Sequence, residues 1–431
     1  MKKIISYILR FMTGEQLPEE ALCLVGYTSD AADFSKYKVV ILPSHFFDDG
    51  IYGTAQTKPA LPLLQIEGVP FLFGTPKEEL IGDTLVIHAD LVASAFFLLS
   101  RYEEMIHREI RDEHGRFPGR KSLPYKAGFI DRPIVEEYGK LIRNRLRLRG
   151  VSIDEPPPAI RMINLTHDVD EPFYCRTWRN VGRLVLAGKN PIKAIRHKYG
   201  EPEKDPYYTF PWLLQQDKIL QHEVGEDRCQ VFFFFKAGGN TKQDKPYYDL
   251  GSIDMLKLLT LCLRNESNIG LHCSYQAGID PSLIVSEKIN FEEKIEMVTW
   301  FSRHHFLASR EPEDMEYLPN AGIFDDFTIG YADVAGFRLG TSLPVYYINP
   351  VTRRMTKRLL LHPLIIMDST LSDAKYMNLT ADEGEAYCLR LINNIRQVNG
   401  ELTLLWHNTS VAVRNGYLRE LYRKLIISIC K

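Results

Sequence analysis

Asp168 and Asp170, in Leu165-Thr166-His167-Asp168-Val169-Asp170, are the first residues whose types and spacing could do chemistry. Side chains of an extended chain alternate with a period of two, so the two carboxylates face the same side. Two neighbouring carboxylates can divide labour, one holding a metal ion and the other taking a proton. An isolated Asp-x-Asp followed by Glu171-Pro172 suits a turn equally well, so this reading needs partners. His272 in Gly270-Leu271-His272-Cys273-Ser274, Arg303 and the His304-His305 pair in Ser302–Leu307, and His407 in Leu404-Leu405-Trp406-His407-Asn408 supply them. His272 and His407 also close apolar runs, and Arg303 with the His304-His305 pair stands beside one. Acid, imidazole and guanidinium groups converging at strand ends are what a metal-assisted hydrolase site requires.

The elements that must bring them together follow from the patterning. Strands are expected at Ile160–Thr166, Cys229–Phe235, Ile269–Cys273, Phe306–Ala308, Leu343–Ile348, Leu359–Ile366 and Leu402–Trp406. Helices are expected at Tyr208–Val224, Ile253–Asn265, Ser286–Phe301, Ala381–Val398 and Tyr417–Ile429. Strands alternating with helices imply parallel pairing and right-handed crossovers, here a distorted (β/α) barrel with its chemistry at the C-terminal strand ends. The run Asp154-Glu155-Pro156-Pro157-Pro158 cannot continue a helix. It divides the chain into residues 1–155, a smaller α/β domain of unknown role, and residues 156–431, the barrel. In the first part, Tyr37–Pro43 reads as a strand, and Ala89–His107 and Pro133–Arg149 read as helices. Substrate delivery or dimer contact is the expectation for that domain, by analogy of position alone.

The 431 residues are 45% apolar and 25% charged, which supports a large core and excludes wholesale disorder. A net charge of −2 gives no global pull toward nucleic acid or an anionic membrane. Seven scattered cysteines, odd in number and with no CxxC pair, fit reduced thiols. Arg10 interrupts the apolar run of the N-terminus, and no apolar stretch is long enough to span a bilayer. The expectation is a cytoplasmic chain, peripheral at most to the inner membrane.

The motifs together resemble the polysaccharide deacetylase family, the NodB-homology domain of the fourth carbohydrate esterase family. More narrowly, the chain is similar to a bacterial branch carrying an uncharacterised N-terminal domain. The resemblance rests on FFLLSRYEE (96–104), DEHGRF (112–117) and RPIVEEY (132–138), then on LTHDVD (165–170), IGLHCSY (269–275), SRHHFL (302–307), TIGYADVAGFRLGT (328–341), HPLIIMDSTL (362–371) and LLWHN (404–408). It implies a divalent metal, usually zinc, and hydrolysis of an acetamide on an amino sugar. Carried over, Asp168 matches the catalytic base, Asp170 and His272 match metal ligands, Arg303 matches the arginine that holds the base, and His407 matches the general acid.

One position departs from the family. Gln276 stands where a second metal-binding histidine is usual, and a glutamine carbonyl is a poor zinc ligand. His305 could supply the third ligand; Gln276 or a water could fill the gap; or the metal is lost and the chain is a silent glycan-binding or assembly protein. His305 is the preferred reading, because His304 points the other way in an extended segment. Hydrolysis of a different amide is the other enzymatic alternative. Tyr275, Asp333, Arg338 and Trp406 are candidate sugar contacts, and Asp326 or Asp368 could orient His407. Arg176 to Lys198 carries seven cations and no acid. That run could meet a diphosphate-linked N-acetylated sugar or anionic lipid.

Overall fold

The computed structural model describes residues 1–14, 17–188 and 190–430; Glu15, Gln16, Lys189 and Lys431 lie outside the described residues. Two large sheets organise them. The first has four strands in the order β1-β2-β6-β5: β1 Val25–Tyr27, β2 Val39–Ile41, β5 Gly74–Ile81 and β6 Thr84–Ala89. A two-stranded ribbon, β3 Leu64–Ile66 and β4 Val69–Phe71, sits between β2 and β5 in the chain. The helix Leu91–Leu99 follows, and all nine of its side chains are buried. Asp90 caps it by accepting from the Ala93 amide at 2.8 Å. The expected helix over 89–107 breaks at Arg101, which adopts φ 60° and starts a second short helix, Tyr102–Ile106.

The second sheet has nine strands in the order β12-β13-β11-β10-β9-β8-β7-β15-β14. They are β7 Met162–Val169, β8 Cys229–Lys236, β9 Asn268–Cys273, β10 Phe301–His304, β11 Asp325–Asp326, β12 Val345–Asn349, β13 Arg354–Leu361, β14 Ile366–Met367 and β15 Glu401–Leu405. Every neighbouring pair is parallel except β12 with β13. The curled sheet has edge strands at β12 and β14, so it is a partial barrel, compatible with the distorted barrel expected from the strand–helix alternation. Its interior is filled by Phe232, Phe234 and Phe327. Gly270 is required there, since a Cβ on it would lie 2.5 Å from Cε1 of Phe234.

Several expected elements shift; the single strand expected at Leu359–Ile366 divides into β13, which ends at Leu361, and β14 at Ile366–Met367. The strand expected at Phe306–Ala308 lies earlier, at Phe301–His304, because Phe306 and Leu307 take positive φ (61° and 52°) and turn the chain out of the sheet. The helix expected to run to Phe301 ends at Ile295. The terminal helix Tyr417–Ile429 lies where expected.

The N-terminal region and the barrel are tied by a buried carboxylate. Glu104 Oε1 and Oε2 accept from Arg338 at 2.9 and 2.8 Å, and Arg101 Nη2 donates to Oε2 at 2.6 Å. Arg101 also reaches the Ser309 hydroxyl at 2.9 Å. Burial alone would raise the Glu104 pKa; the two guanidinium groups reverse this and hold it at about 2.

Candidate metal centre

The C-terminal ends of β7, β9, β10 and β15 converge on one point. Alternation along β7 sends Thr166 and Asp168 toward the barrel interior and His167 outward, where its Nε2 lies 3.1 Å from Asp217 of the helix Phe210–Val224, part of the helix layer outside the sheet. Asp170, His272 and His305 place one ligand atom each within 4.8 Å of one another. His272 Nε2 is 3.1 Å from Asp170 Oδ1, and His305 Nε2 is 3.3 Å from the same oxygen. His272 Nε2 and Asp170 Oδ1 are buried without a hydrogen-bond partner. Orphaned buried atoms of this kind are rare unless something binds them. Two imidazoles and a carboxylate with an open remaining side are the donor set of a catalytic divalent-cation site, so the residues fit such an ion.

The surrounding groups fix the ligands. His272 Nδ1 donates to the Arg303 carbonyl at 3.0 Å, which leaves the Nε2 lone pair directed at Asp170. His305 Nδ1 faces Asp244 Oδ1 at 3.6 Å. Asp244 in turn accepts from the Tyr275 amide at 2.7 Å and the Thr241 hydroxyl at 2.6 Å. Burial opposes ionisation of Asp244, but His305 and these donors outweigh it and hold its pKa at about 2. His305 is pushed down by burial but pulled up further by Asp170 and Asp244, for a net rise. Burial likewise disfavours the Asp170 carboxylate, and the two histidines win, holding its pKa well below the usual range.

Asp168 is immobilised beside this triad. Arg303, fully buried, donates from Nη1 to Asp168 Oδ1 at 2.9 Å and to the Thr166 hydroxyl at 2.8 Å, and from Nε to the Phe327 carbonyl at 3.0 Å. Its guanidinium lies 4.8 Å from the centre of the Phe234 ring. Asp168 Oδ2 remains directed at the triad, 3.7 Å from His272 Nε2. His407 approaches from β15, with Nε2 3.6 Å from Asp170 Oδ2. Asp368 accepts from both the His407 amide, at 2.7 Å, and Nδ1, at 2.8 Å. Burial lowers the His407 pKa, but Asp368, Asp170 and Asp168 together raise it to about 10.

The N-terminal region reaches this site. Arg116 Nη1 donates to the carbonyl of Phe306, the residue after His305, at 2.7 Å. The His114 ring lies 4.8 Å from that of Phe306. Phe306 and Leu307 hold left-handed conformations that cost non-glycine residues energy, so the turn carrying His305 is clamped from outside the barrel. The spacing of DEHGRF gives no hint of this, because the contact spans 190 residues of chain.

Asp168, Asp170, His272, Arg303, His305 and His407 come together; the four expected sugar contacts do not join them as open surfaces. Trp406 is fully buried, donates to the Leu418 carbonyl at 3.1 Å and packs on Tyr422, because it faces the helix layer while His407 turns inward. Arg338 is spent on Glu104. Asp333 accepts from the amides of Gly119 at 2.7 Å and Arg120 at 3.0 Å. Tyr275 is 6% exposed, packed among Phe306, Arg310 and His114. Asp326 serves Ser302 and Thr328 rather than His407. Gln276 accepts from the Asn240 amide, outside the triad. His304 is buried against Thr328 on the other side of the strand end. Asp244 was not legible because it stands in no motif, and the Arg116 clamp was not because its motif, DEHGRF, gives no sign of the distant contact with Phe306.

A cavity of about 810 Å³ opens at the opposite end of the barrel, beside Arg161 and Glu401 near the strand starts, and none of the converging groups lines it.

Residues 2–150 match a protein family described as "Family of unknown function (DUF7033)". No curated protein matches the chain. Among solved structures, the chain is similar to one described as "putative polysaccharide deacetylase from Mycobacterium smegmatis", at 14% identity and a TM-score of 0.38, over 64% of this chain and 89% of that one.

Proposed function

We propose that the chain is a metal-dependent hydrolase that removes the acetyl group from an N-acetylated amino sugar of a polysaccharide or its precursor. The observation that carries this reading is the Asp170/His272/His305 triad, with Asp170 Oδ1 and His272 Nε2 buried and unpartnered, beside two groups suited to opposite proton transfers, Asp168 and His407. A divalent cation held by the triad, zinc being the best match to two imidazoles and a carboxylate, supplies Lewis acidity toward the acyl oxygen and toward a water.

The chain's own residues do the rest. Asp168, anchored through Oδ1 by Arg303, offers Oδ2 as the base that takes the water's proton. His407 enters protonated, because Asp368 holds its Nδ1–H and raises its pKa. Its Nε2 proton goes to the departing amine nitrogen, which would otherwise leave as an unstable amide anion. Asp368 keeps the ring aimed and stabilises its charge. Arg116 and His114 keep the His305 turn in place.

The test is acetate release from N-acetylglucosamine oligosaccharides by the zinc-loaded protein. Asp168→Ala and His407→Ala should each lower it by roughly 10²–10⁴-fold. Release that survives both substitutions would remove the mechanism. Tight oligosaccharide binding without release would favour the silent glycan-binding alternative.

A further inference from the structure

The cationic run after β7 folds as two short helices, Trp178–Leu186 and Pro191–Tyr199. Lys189, one of its seven cations, lies outside the described residues. In the first helix, Val181 and Asn180 are buried, whereas Trp178 and Leu186, eight residues apart and so on one face, are 60% and 89% exposed. In the second, only Ala194 is buried, and Ile192, Ile195 and Tyr199 form an outward stripe, 64%, 43% and 71% exposed. The stripes adjoin, with the Trp178 and Tyr199 rings 6.2 Å apart. Exposed Arg179, Arg183, Lys193 and Arg196 flank them, and no acidic residue occurs between Glu171 and Glu201.

This hairpin is rooted at the candidate site. Asn180 donates to Glu171 Oε1 at 3.2 Å, and Asn408 donates to the Glu171 carbonyl at 3.0 Å. Glu171 follows Asp170, and Asn408 follows His407. Arg176 closes the base by donating to the carbonyls of His197 at 2.7 Å, Lys198 at 2.8 Å and Gly200 at 2.7 Å.

We infer that the hairpin seats the chain on an anionic lipid bilayer, with the apolar stripes at the headgroup–acyl boundary and the flanking cations on lipid phosphates. Apolar residues bordered by Lys and Arg, with Trp and Tyr among them, are the pattern of an interfacial amphipathic helix. The core of a protein–protein interface is instead depleted in charge, and the aliphatic stripe has no counterpart on a polynucleotide. The charge complementarity therefore selects an anionic membrane surface. Resting on the proposed hydrolase reading, the rooting at Glu171 also means that such docking presents the site to a sugar carried on a lipid.

The experiment is co-sedimentation of the full chain with phosphatidylglycerol/phosphatidylcholine vesicles and with phosphatidylcholine vesicles alone, at low and high salt. Binding should require the anionic lipid and weaken as salt screens it. Arg179→Gln/Arg183→Gln/Lys193→Gln should lower partitioning by on the order of a hundredfold, about fivefold per cation. Leu186→Glu/Ile192→Glu should abolish it, with unchanged far-UV circular dichroism and urea-unfolding midpoint reporting an intact fold. No vesicle binding by the wild type, or equal binding to neutral vesicles, overturns the inference. So does a concentration-dependent dimer that the Leu186→Glu/Ile192→Glu variant dissolves without any vesicle binding by the wild type, since the stripes would then cover a second copy. Vesicle binding is read without acetate release, so it stands or falls apart from the hydrolase reading.

Discussion

Arg303 Nη1 meets Asp168 Oδ1 at 2.9 Å inside the barrel, and this bond leaves only Oδ2 of Asp168 directed at the triad. The contact joins β10 to β7 across two intervening strands. It gives the Asp168 carboxylate one orientation.

Removing one partner of this pair leaves the other buried and uncompensated. Arg303→Met is expected to destabilise the fold by about 3–5 kcal/mol, read from the midpoint of urea unfolding. Arg303→Lys should retain more stability yet lose hydrolysis, because one ammonium cannot contact Asp168, Thr166 and the Phe327 carbonyl together. Activity near the wild-type level in Arg303→Lys would contradict the positioning role.

If the triad binds zinc as proposed, the ion has to displace the proton from His305, whose pKa is raised by Asp170 and Asp244 against the effect of burial. Affinity should therefore be highest above that raised value and fall as pH drops through it, starting above the ordinary histidine value of about 6.5. Competition titrations with a chromogenic chelator across this range measure it. Asp244→Asn should weaken binding by about 10–100-fold, as loss of a ligand's supporting partner does.

His407 should remain protonated in the metal-free protein up to about pH 10. A raised value means that its contribution to stability is complete below about 6.5, the unfolded histidine value, and is lost as pH rises through about 10. Ring NMR signals of His407 follow the titration directly. In Asp368→Asn the value should fall, since burial then acts with less opposition. Titration of wild-type His407 near 6.5 would contradict the account.

Glu104, held at about 2 rather than 4.5, contributes roughly 3 kcal/mol above pH 4.5, and this is lost as pH falls through about 2. Glu104→Gln leaves Arg101 and Arg338 facing an uncharged amide. Unfolding should show a loss of about 3–5 kcal/mol.

Arg116 offers a test of what the N-terminal region does for the barrel. Arg116→Ala frees the Phe306 carbonyl and lets the strained turn relax, so zinc affinity should fall while the barrel stays folded. Arg116→Lys should restore part of it. Unaltered zinc affinity in Arg116→Ala would show that the turn holds itself.

Much of this site could be read from the sequence because its residues sit one or two positions from the ends of apolar strands, where alternation decides which side chains face inward. Asp168, Asp170, His272 and His407 follow that rule. His305 does not belong to a strand: the left-handed turn at Phe306 carries it toward Asp170, and no pattern of residue types announces that turn. Trp406 misleads because β15 is buried on both faces, so apolar character does not distinguish cleft from core. Arg338 and Asp333 resemble cleft residues in their motif but are engaged by Glu104 and by the amides of Gly119 and Arg120. Such long-range pairings leave no local trace.

Acetate release by chelator-stripped protein titrated with zinc tests the central claim most directly. Release from N-acetylglucosamine oligosaccharides should be absent without metal, rise in proportion to bound zinc, saturate at about one equivalent per chain, and be lost in His272→Ala and His305→Ala. Release that is indifferent to chelation, or absent with the triad fully loaded, would contradict it.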